Sequence, residues 1–508
     1  MEGTKVRHGM SHPSALRLEP GALPAFAKRV PTPGYDRGSL RVGIVHFGVG
    51  AFHRAHQAMY LDRLMNRGKA LGWAICGVGV MEADRGMRDA LKPQEYLYTL
   101  VEKHSDGAYE PRVIGSIIDY LYAPDDPAAV IDRLTSEATR IVSLTVTEGG
   151  YSIDELTGEF DPRTPAVARD LEPGAVPSSV FGLVVEALAR RRERGQAPFA
   201  VVSCDNLPGN GRLAARAFTT FARLRDPWLG EWIEREVRFP NSMVDRITPA
   251  TTDEDRQEVR RRFGIDDRWP VVCEPFVQWV LEDSFSSARP PYEQVGVQVV
   301  DDVEPYELMK LRLLNASHQG LCYFARLCGY QLVHEAARDP LFRRFLRAYM
   351  DEEATPTLQP VPGLDLDEYK RTLIERFSNP AIRDTIARLC AESSDRIPKW
   401  LLPVIIAQLR VGGQIARSAA IVASWARYAE GTDEAGRPIE VVDRHRDRVM
   451  ALASRQREEP LAFLTNRELF GDLIENERFV AAYAAALSSL HQRGARATLQ
   501  ALLQGNLA

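Results

Sequence analysis

A chain whose first apolar run is Val42-Gly-Ile-Val-His-Phe47, leading directly into Gly48-Val-Gly50, has few folds open to it. Six residues with no helical stripe and little alternation read as a strand covered on both faces, the signature of a parallel strand. A helical pattern follows from about Phe52 to Leu64, and a second such strand, Trp73-Ala-Ile-Cys-Gly-Val78, ends near Met81-Glu82-Ala-Asp84. Strand, glycine turn, helix, strand is the opening of a dinucleotide-binding fold. Gly48 would permit the tight turn, and Gly50 would let backbone approach a diphosphate at the helix N-terminus. Glu82 and Asp84 stand where carboxylates bind ribose hydroxyls. They favour NAD, while Arg85 beside them leaves NADP open. The third glycine of the usual fingerprint is absent, since the chain reads Gly-Val-Gly-Ala-Phe-His53-Arg54, and a Gly-x-Gly after a strand is also an ordinary turn.

The alternation continues. Tyr96–Val101 and Tyr109–Ile118 read as a hairpin insertion about Asp106-Gly107. The strand Ile141–Thr147 ends in Glu148-Gly-Gly-Tyr151, and Phe199–Cys204 ends in Asp205-Asn206-Leu-Pro-Gly-Asn210-Gly. Gly-rich loops at the carboxyl ends of strands are where open α/β sheets bind ligands. Asn206 there reads either as a cap for the following helix or turn or as an amide donor to a ligand oxygen. Met243-Val-Asp245-Arg246 reads as a short strand with adjacent charges, a salt-linked turn being the plain alternative. The expected fold class is α/β: a Rossmann-type, doubly wound sheet with insertions over 41–302, preceded by an arm over 1–40. From 303 to 508 the pattern is helical throughout, broken by Pro and Gly, and predicts an all-helical C-terminal domain.

One stretch of that second half carries chemistry. In Glu307-Leu-Met-Lys310-Leu-Arg-Leu-Leu-Asn315-Ala-Ser-His318, roughly 100° per residue places the four polar groups within an arc of about 140°. Polar groups are costly to bury without partners. Burial lowers the pKa of a lysine by penalising its charged form, and a neutral lysine can take a proton from an alcohol. A Glu307–Lys310 surface ion pair with a core histidine is the bland reading of the same residues.

Composition excludes several classes. A net charge of −5 without a basic segment gives no nucleic-acid footprint. No apolar run reaches membrane-spanning length, and the N-terminus lacks the apolar core of a signal peptide. Six cysteines without CxxC or finger spacing read as reduced residues of a cytoplasmic protein. His318 has no second histidine at ligand spacing on its helix.

At Lys310-xxxx-Asn315-xx-His318 the sequence resembles the mannitol dehydrogenase family, the polyol-specific long-chain dehydrogenases/reductases. Four further segments agree in order: Gly48-Val-Gly50-Ala-Phe52-His53-Arg54, Thr145-Val-Thr-Glu148-Gly-Gly-Tyr151, Ser203-Cys-Asp-Asn206-Leu-Pro-Gly-Asn210-Gly and Met243-Val-Asp245-Arg246-Ile-Thr-Pro. The resemblance covers about residues 41 to 490. It implies an NAD(P)-dependent, metal-independent oxidation of a secondary alcohol in a sugar alcohol or sugar acid. It implies Lys310 as general base, Asn206 and Asn315 as the oxyanion-stabilising pair, and Glu148 as the proton exit. Asp245, His318 and Arg388 would contact substrate hydroxyls, and Glu307 would tune the lysine. Phe52, His53 and Arg54 would join Gly48, Gly50, Glu82 and Asp84 at the coenzyme. The leading expectation is D-mannitol to D-fructose with NAD. The alternatives are D-mannonate oxidation (fructuronate reductase) or arabinitol or altronate oxidation, and, from another class, a dinucleotide-binding protein without turnover. A sugar acid would need a cation for its carboxylate, with Arg54, Lys399 and Arg388 as candidates. A monomer is compatible with the chain.

Overall fold

The computed structural model describes residues 15–153 and 159–507. Contacts divide the chain into two compact units that meet in sequence at Asp301/Asp302.

The first unit is built on a five-stranded parallel sheet. Its first strand, β1 (Val42–Phe47), is buried along its whole length, which its unbroken apolar character requires. A helix follows in two pieces, α1 (Ala51–Ala55) and α2 (Gln57–Met65), separated at His56, whose φ/ψ of −125/−97 breaks the predicted 52–64 run. Then come β2 (Ala74–Gly79) and α3 (Asp84–Leu91). The expected hairpin forms from β3 (Tyr98–Lys103) and β4 (Tyr109–Ile114), antiparallel to each other. The second arm is shorter than its apolar run suggests. The chain breaks at Gly115-Ser116 and re-enters the parallel sheet as a separate strand, β5 (Ile117–Tyr122). The sheet is completed by β6 (Ile141–Leu144) and β7 (Ala200–Ser203). The order across it is β5-β2-β1-β6-β7, the doubly wound order whose direction reverses between β1 and β6. Residues 15–40 pack on this unit: Leu16–Arg17 pairs with Ile265–Asp266, and Leu18, Phe26 and Val30 are buried. A smaller sheet contains β8 (Ser242–Asp245), antiparallel to Gln278–Glu282.

Every helix or strand of the second unit among the described residues is helical. Its centre is α4 (Ala316–Leu327), buried around almost its entire circumference, so packing on all sides rather than amphipathic periodicity defines it. It packs against α5 (Ile386–Cys390) and α6 (Ala416–Tyr428). The helical pattern of the second half is not continuous helix everywhere: within 380–391 only α5 forms, and 459–475 divides into the short turns Ala462–Thr465, Arg467–Phe470 and Leu473–Glu475.

Candidate functional site

The carboxyl ends of β1 and β6 are neighbours at the reversal point of the sheet, where ligands bind in folds of this kind. Gly48 has φ +91, and a Cβ there would lie 2.0 Å from Thr145 O, so strand β6 crosses too closely for any side chain. Gly50 differs. Its φ is −104, and a Cβ would meet nothing closer than Gly48 O at 3.8 Å. The protein itself does not need glycine at 50, which leaves open space beside a helix N-terminus, as a diphosphate requires.

The missing third glycine has a structural explanation. Where that glycine would let helix and strand approach, His53 of α1 lies flat on His46 of β1, ring centroids 3.4 Å apart and planes within 8°. Both are fully buried, and burial pushes the His46 pKa down to about 3 and that of His53 well below its usual range. Phe52 stacks on His56 at 4.8 Å. Arg54 is entirely buried, with Nε donating to Gly50 O and Nη1 to Trp269 O. It braces the turn from within. Beyond β2, Asp84 Oδ2 accepts from Val80 N and Met81 N, both at 2.9 Å, closing the turn into α3. Glu82 is exposed, accepts from Tyr122 OH at 3.2 Å and pairs with Arg85.

The loops after β6 and β7 are tied together. Asp205 Oδ1 accepts from Thr147 N at 2.8 Å, and Oδ2 accepts from Val146 N at 3.1 Å and Tyr151 OH at 2.7 Å. The backbone turn Glu148–Tyr151 is thereby fastened to the residue before Asn206; the Glu148 side chain lies outside the described residues. Asn206 does not cap the next helix, whose N-cap is Gly209. Asp245 is buried at the end of β8. Its neighbour Arg246 donates to Glu102 Oε1 at 2.6 Å, Glu274 O and Ala55 O, and so holds the fold together.

In the second unit, Glu307, Lys310, Asn315 and His318 are all buried. The helix carrying them is not uniform. Between Glu304–Met309 and α4, residues Lys310–Asn315 form a π segment, with Ala316 N donating to Leu311 O. On an α-helix Lys310 and Asn315 would stand about 140° apart. Bonding from i to i+5 unwinds the helix locally and brings Asn315 nearer to the side of Lys310 than a uniform α-helix would. π-bulges of this kind are frequent at functional sites. Asn315 Oδ1 and His318 Nε2 are buried without a hydrogen-bond partner among the described residues, the state of groups that await a polar ligand. The His318 ring rests on Phe377, centroids 4.4 Å apart. Burial holds its pKa well below the usual range, reinforced by the charges of Arg388, Arg376 and Arg396. His318 is therefore neutral and can both donate and accept. Arg388 is half-exposed and forms a forked pair with Asp384 at 2.6 and 2.5 Å. Sequence reasoning missed Arg376 and Arg396, whose charges act on His318 from other helices and which share no local motif with it. Among the described residues, the side chains grouped at metal-ligand spacing are Glu102, His104 and Glu110 of the hairpin, where Glu102 already accepts from Arg246.

Comparison with known proteins matches residues 42–294 to a mannitol dehydrogenase Rossmann domain and 302–491 to a mannitol dehydrogenase C-terminal domain. The chain is 46% identical over 477 residues to a mannitol 2-dehydrogenase of Neosartorya fischeri, covering 92% of this chain and 95% of that one. It is similar to the structure of Pseudomonas fluorescens mannitol 2-dehydrogenase in a ternary complex with NAD and D-mannitol, at TM-score 0.89 and 47% identity over 96% of this chain and all of the other. A substrate-free D-sorbitol dehydrogenase matches at TM-score 0.87 and 38% identity, over 95% of this chain and all of that one.

Proposed function

Because this chain belongs to the mannitol dehydrogenase family, we propose that it oxidises D-mannitol to D-fructose with NAD and catalyses the reverse reduction. The observation that carries this reading is the buried helix on which Lys310 stands at the start of a π segment, with the unpartnered ends of Asn315 and His318 beside it. Gly48 and Gly50 hold the coenzyme diphosphate, flanked by Phe52, His53 and Arg54, with Glu82 and Asp84 at the ribose. NAD, when bound, supplies the acceptor for the hydride that leaves the carbinol carbon.

Lys310, as an uncharged amine, removes the hydroxyl proton; in reduction its ammonium returns it to the ketose carbonyl. Asn206 and Asn315 donate to the oxygen as it gains charge, each stabilising it by roughly 3 kcal/mol in ideal geometry. Asp245, His318 and Arg388 hold the remaining hydroxyls, Glu307 tunes the lysine, and Glu148 passes the proton outward. The similarity to mannitol 2-dehydrogenases favours a neutral polyol over a sugar acid, and the candidate cations already carry protein partners. Arg54 donates to Gly50 O and Trp269 O, Lys399 pairs with Asp395, and Arg388 pairs with Asp384. All six cysteines are free thiols, which supports a reducing, cytoplasmic setting.

The test is NADH formation on a panel of D-mannitol, D-sorbitol, D-arabinitol and D-mannonate. D-Mannitol is expected to give the highest kcat/KM. Faster turnover of D-mannonate would replace this reading with its sugar-acid counterpart, and no turnover on any of them would leave a dinucleotide-binding protein.

A further inference from the structure

The coenzyme turn is held from below by a chain of buried hydrogen bonds whose direction follows from counting protons. Thr145 Oγ1 lies 2.6 Å from Gly48 O, an acceptor only, so the threonine hydroxyl donates there. Its oxygen then accepts from His46 Nε2 at 3.0 Å, which fixes the tautomer: Nε2 carries the proton and Nδ1 is bare. Nδ1 stands 2.8 Å from Ser143 Oγ and takes that hydroxyl's proton. Ser143 has no second proton, so its 2.8 Å contact with the Gln57 amide is satisfied when the amide presents its nitrogen, a half-turn from the orientation with Oε1 facing Ser143. The relay runs one way, from Gln57 through Ser143, His46 and Thr145 to Gly48 O. Gly50 N, at 2.7 Å, and His46 Nε2 itself, at 3.2 Å, also point at that carbonyl. His53, flat against His46, keeps the ring from tilting.

We propose that His46 and Thr145 are positioning residues that turn the Gly48 carbonyl inward, so that the turn does not present this carbonyl oxygen to the coenzyme diphosphate. An outward carbonyl would set partial negative charge against the phosphates. One-directional donation strengthens each bond in the series, and the donors come from β1, β6 and α2, which makes the turn part of the core rather than a loose loop. Neither residue touches the coenzyme in this scheme; each acts through Gly48. The proposal rests on the reading of this turn as the diphosphate cradle.

The test measures NADH binding by fluorescence titration and melting of the protein without coenzyme, alongside kinetics. Thr145→Val removes the donor while keeping the shape. It is expected to raise the NADH dissociation constant and the NAD KM together, by about tenfold, with kcat lowered less than threefold. Thr145→Ser should restore binding to within twofold of the wild type. Ser143→Ala, a smaller change further from the turn, should weaken NADH about threefold and serves if Thr145→Val does not fold. Binding by Thr145→Val within twofold of wild type would overturn the proposal, as would a loss that Thr145→Ser does not recover. If Thr145→Val does not fold, unchanged binding by Ser143→Ala would also overturn it. If the wild type itself bound no NADH, the coenzyme reading would fall first and take this proposal with it.

Discussion

Two glycines two positions apart should respond oppositely to the same added methyl group. At Gly48 a Cβ would sit 2.0 Å from Thr145 O in a backbone conformation of φ +91. The left-handed conformation costs a side-chain residue about 1–2 kcal/mol. Relieving an overlap with backbone adds typically about 1–3 kcal/mol. Gly48→Ala should therefore lose about 2–5 kcal/mol of stability, a fall in Tm of roughly 3–8 °C for a unit of this size. At Gly50, φ is −104 and the nearest atom to a Cβ is 3.8 Å away. Alanine fits, and the reduced freedom of the unfolded chain even favours it by about 0.4–1 kcal/mol. The space it fills is the space assigned to the diphosphate. Overpacking there by about 1–3 kcal/mol would weaken NADH by a factor of roughly 5 to 150. Calorimetry without coenzyme and NADH titration separate the two effects. Gly50→Ala with unaltered Tm and unaltered NADH affinity would refute the assignment of the cradle to this turn.

Other outcomes follow from the same geometry. Lys310→Ala should abolish turnover while NADH binding stays within about threefold; retained turnover would remove the lysine from the mechanism. Asn315→Ala should lower kcat by roughly 10²–10³ with little change in NADH affinity, and a change under fivefold would count against an oxyanion role. Glu82→Ala should raise the ratio of kcat/KM for NADP to that for NAD without shifting Tm, since the side chain is exposed; an unchanged ratio would place the ribose contact elsewhere. His46 is buried neutral, its pKa lowered from 6.5 to about 3. The unfolded chain takes up this proton first, so the associated stability is complete above pH 6.5 and is lost as pH falls toward 3. The full loss is at most about 5 kcal/mol. His46→Phe should show a shallower acid limb in urea titrations across that window, and an unchanged slope would contradict it.

Much of the fold is written locally. A buried strand must be apolar on both sides, a tight turn must have glycine, and a helix must repeat near 3.6 residues, so β1, β2, β6, β7 and the helical second half are visible in short windows of sequence. Lys310, Asn315 and His318 were legible for the same reason, because they share one helix. The separation of β5 from the hairpin was not, because Ile117–Tyr122 is a continuous apolar neighbour of the preceding strand and only its pairing with β2 reassigns it.

Tertiary structure also decided what the individual polar groups do. Arg54 and Arg246 sit in short charged patches of sequence, and only the packed fold shows that Arg54 braces the turn through Gly50 O and Trp269 O while Arg246 ties Glu274 O to Ala55 O. His53 occupies the place of an expected glycine because a partner ring on β1 accepts it face to face. The π segment that turns Asn315 toward the side of Lys310 cannot be read from a pattern that assumes one helical period. Spacing along the chain sets which residues share an element. Hydrogen bonds between residues as remote as His46 and Thr145, 99 positions apart, form only once the strands are side by side, so their geometry belongs to the packed fold alone.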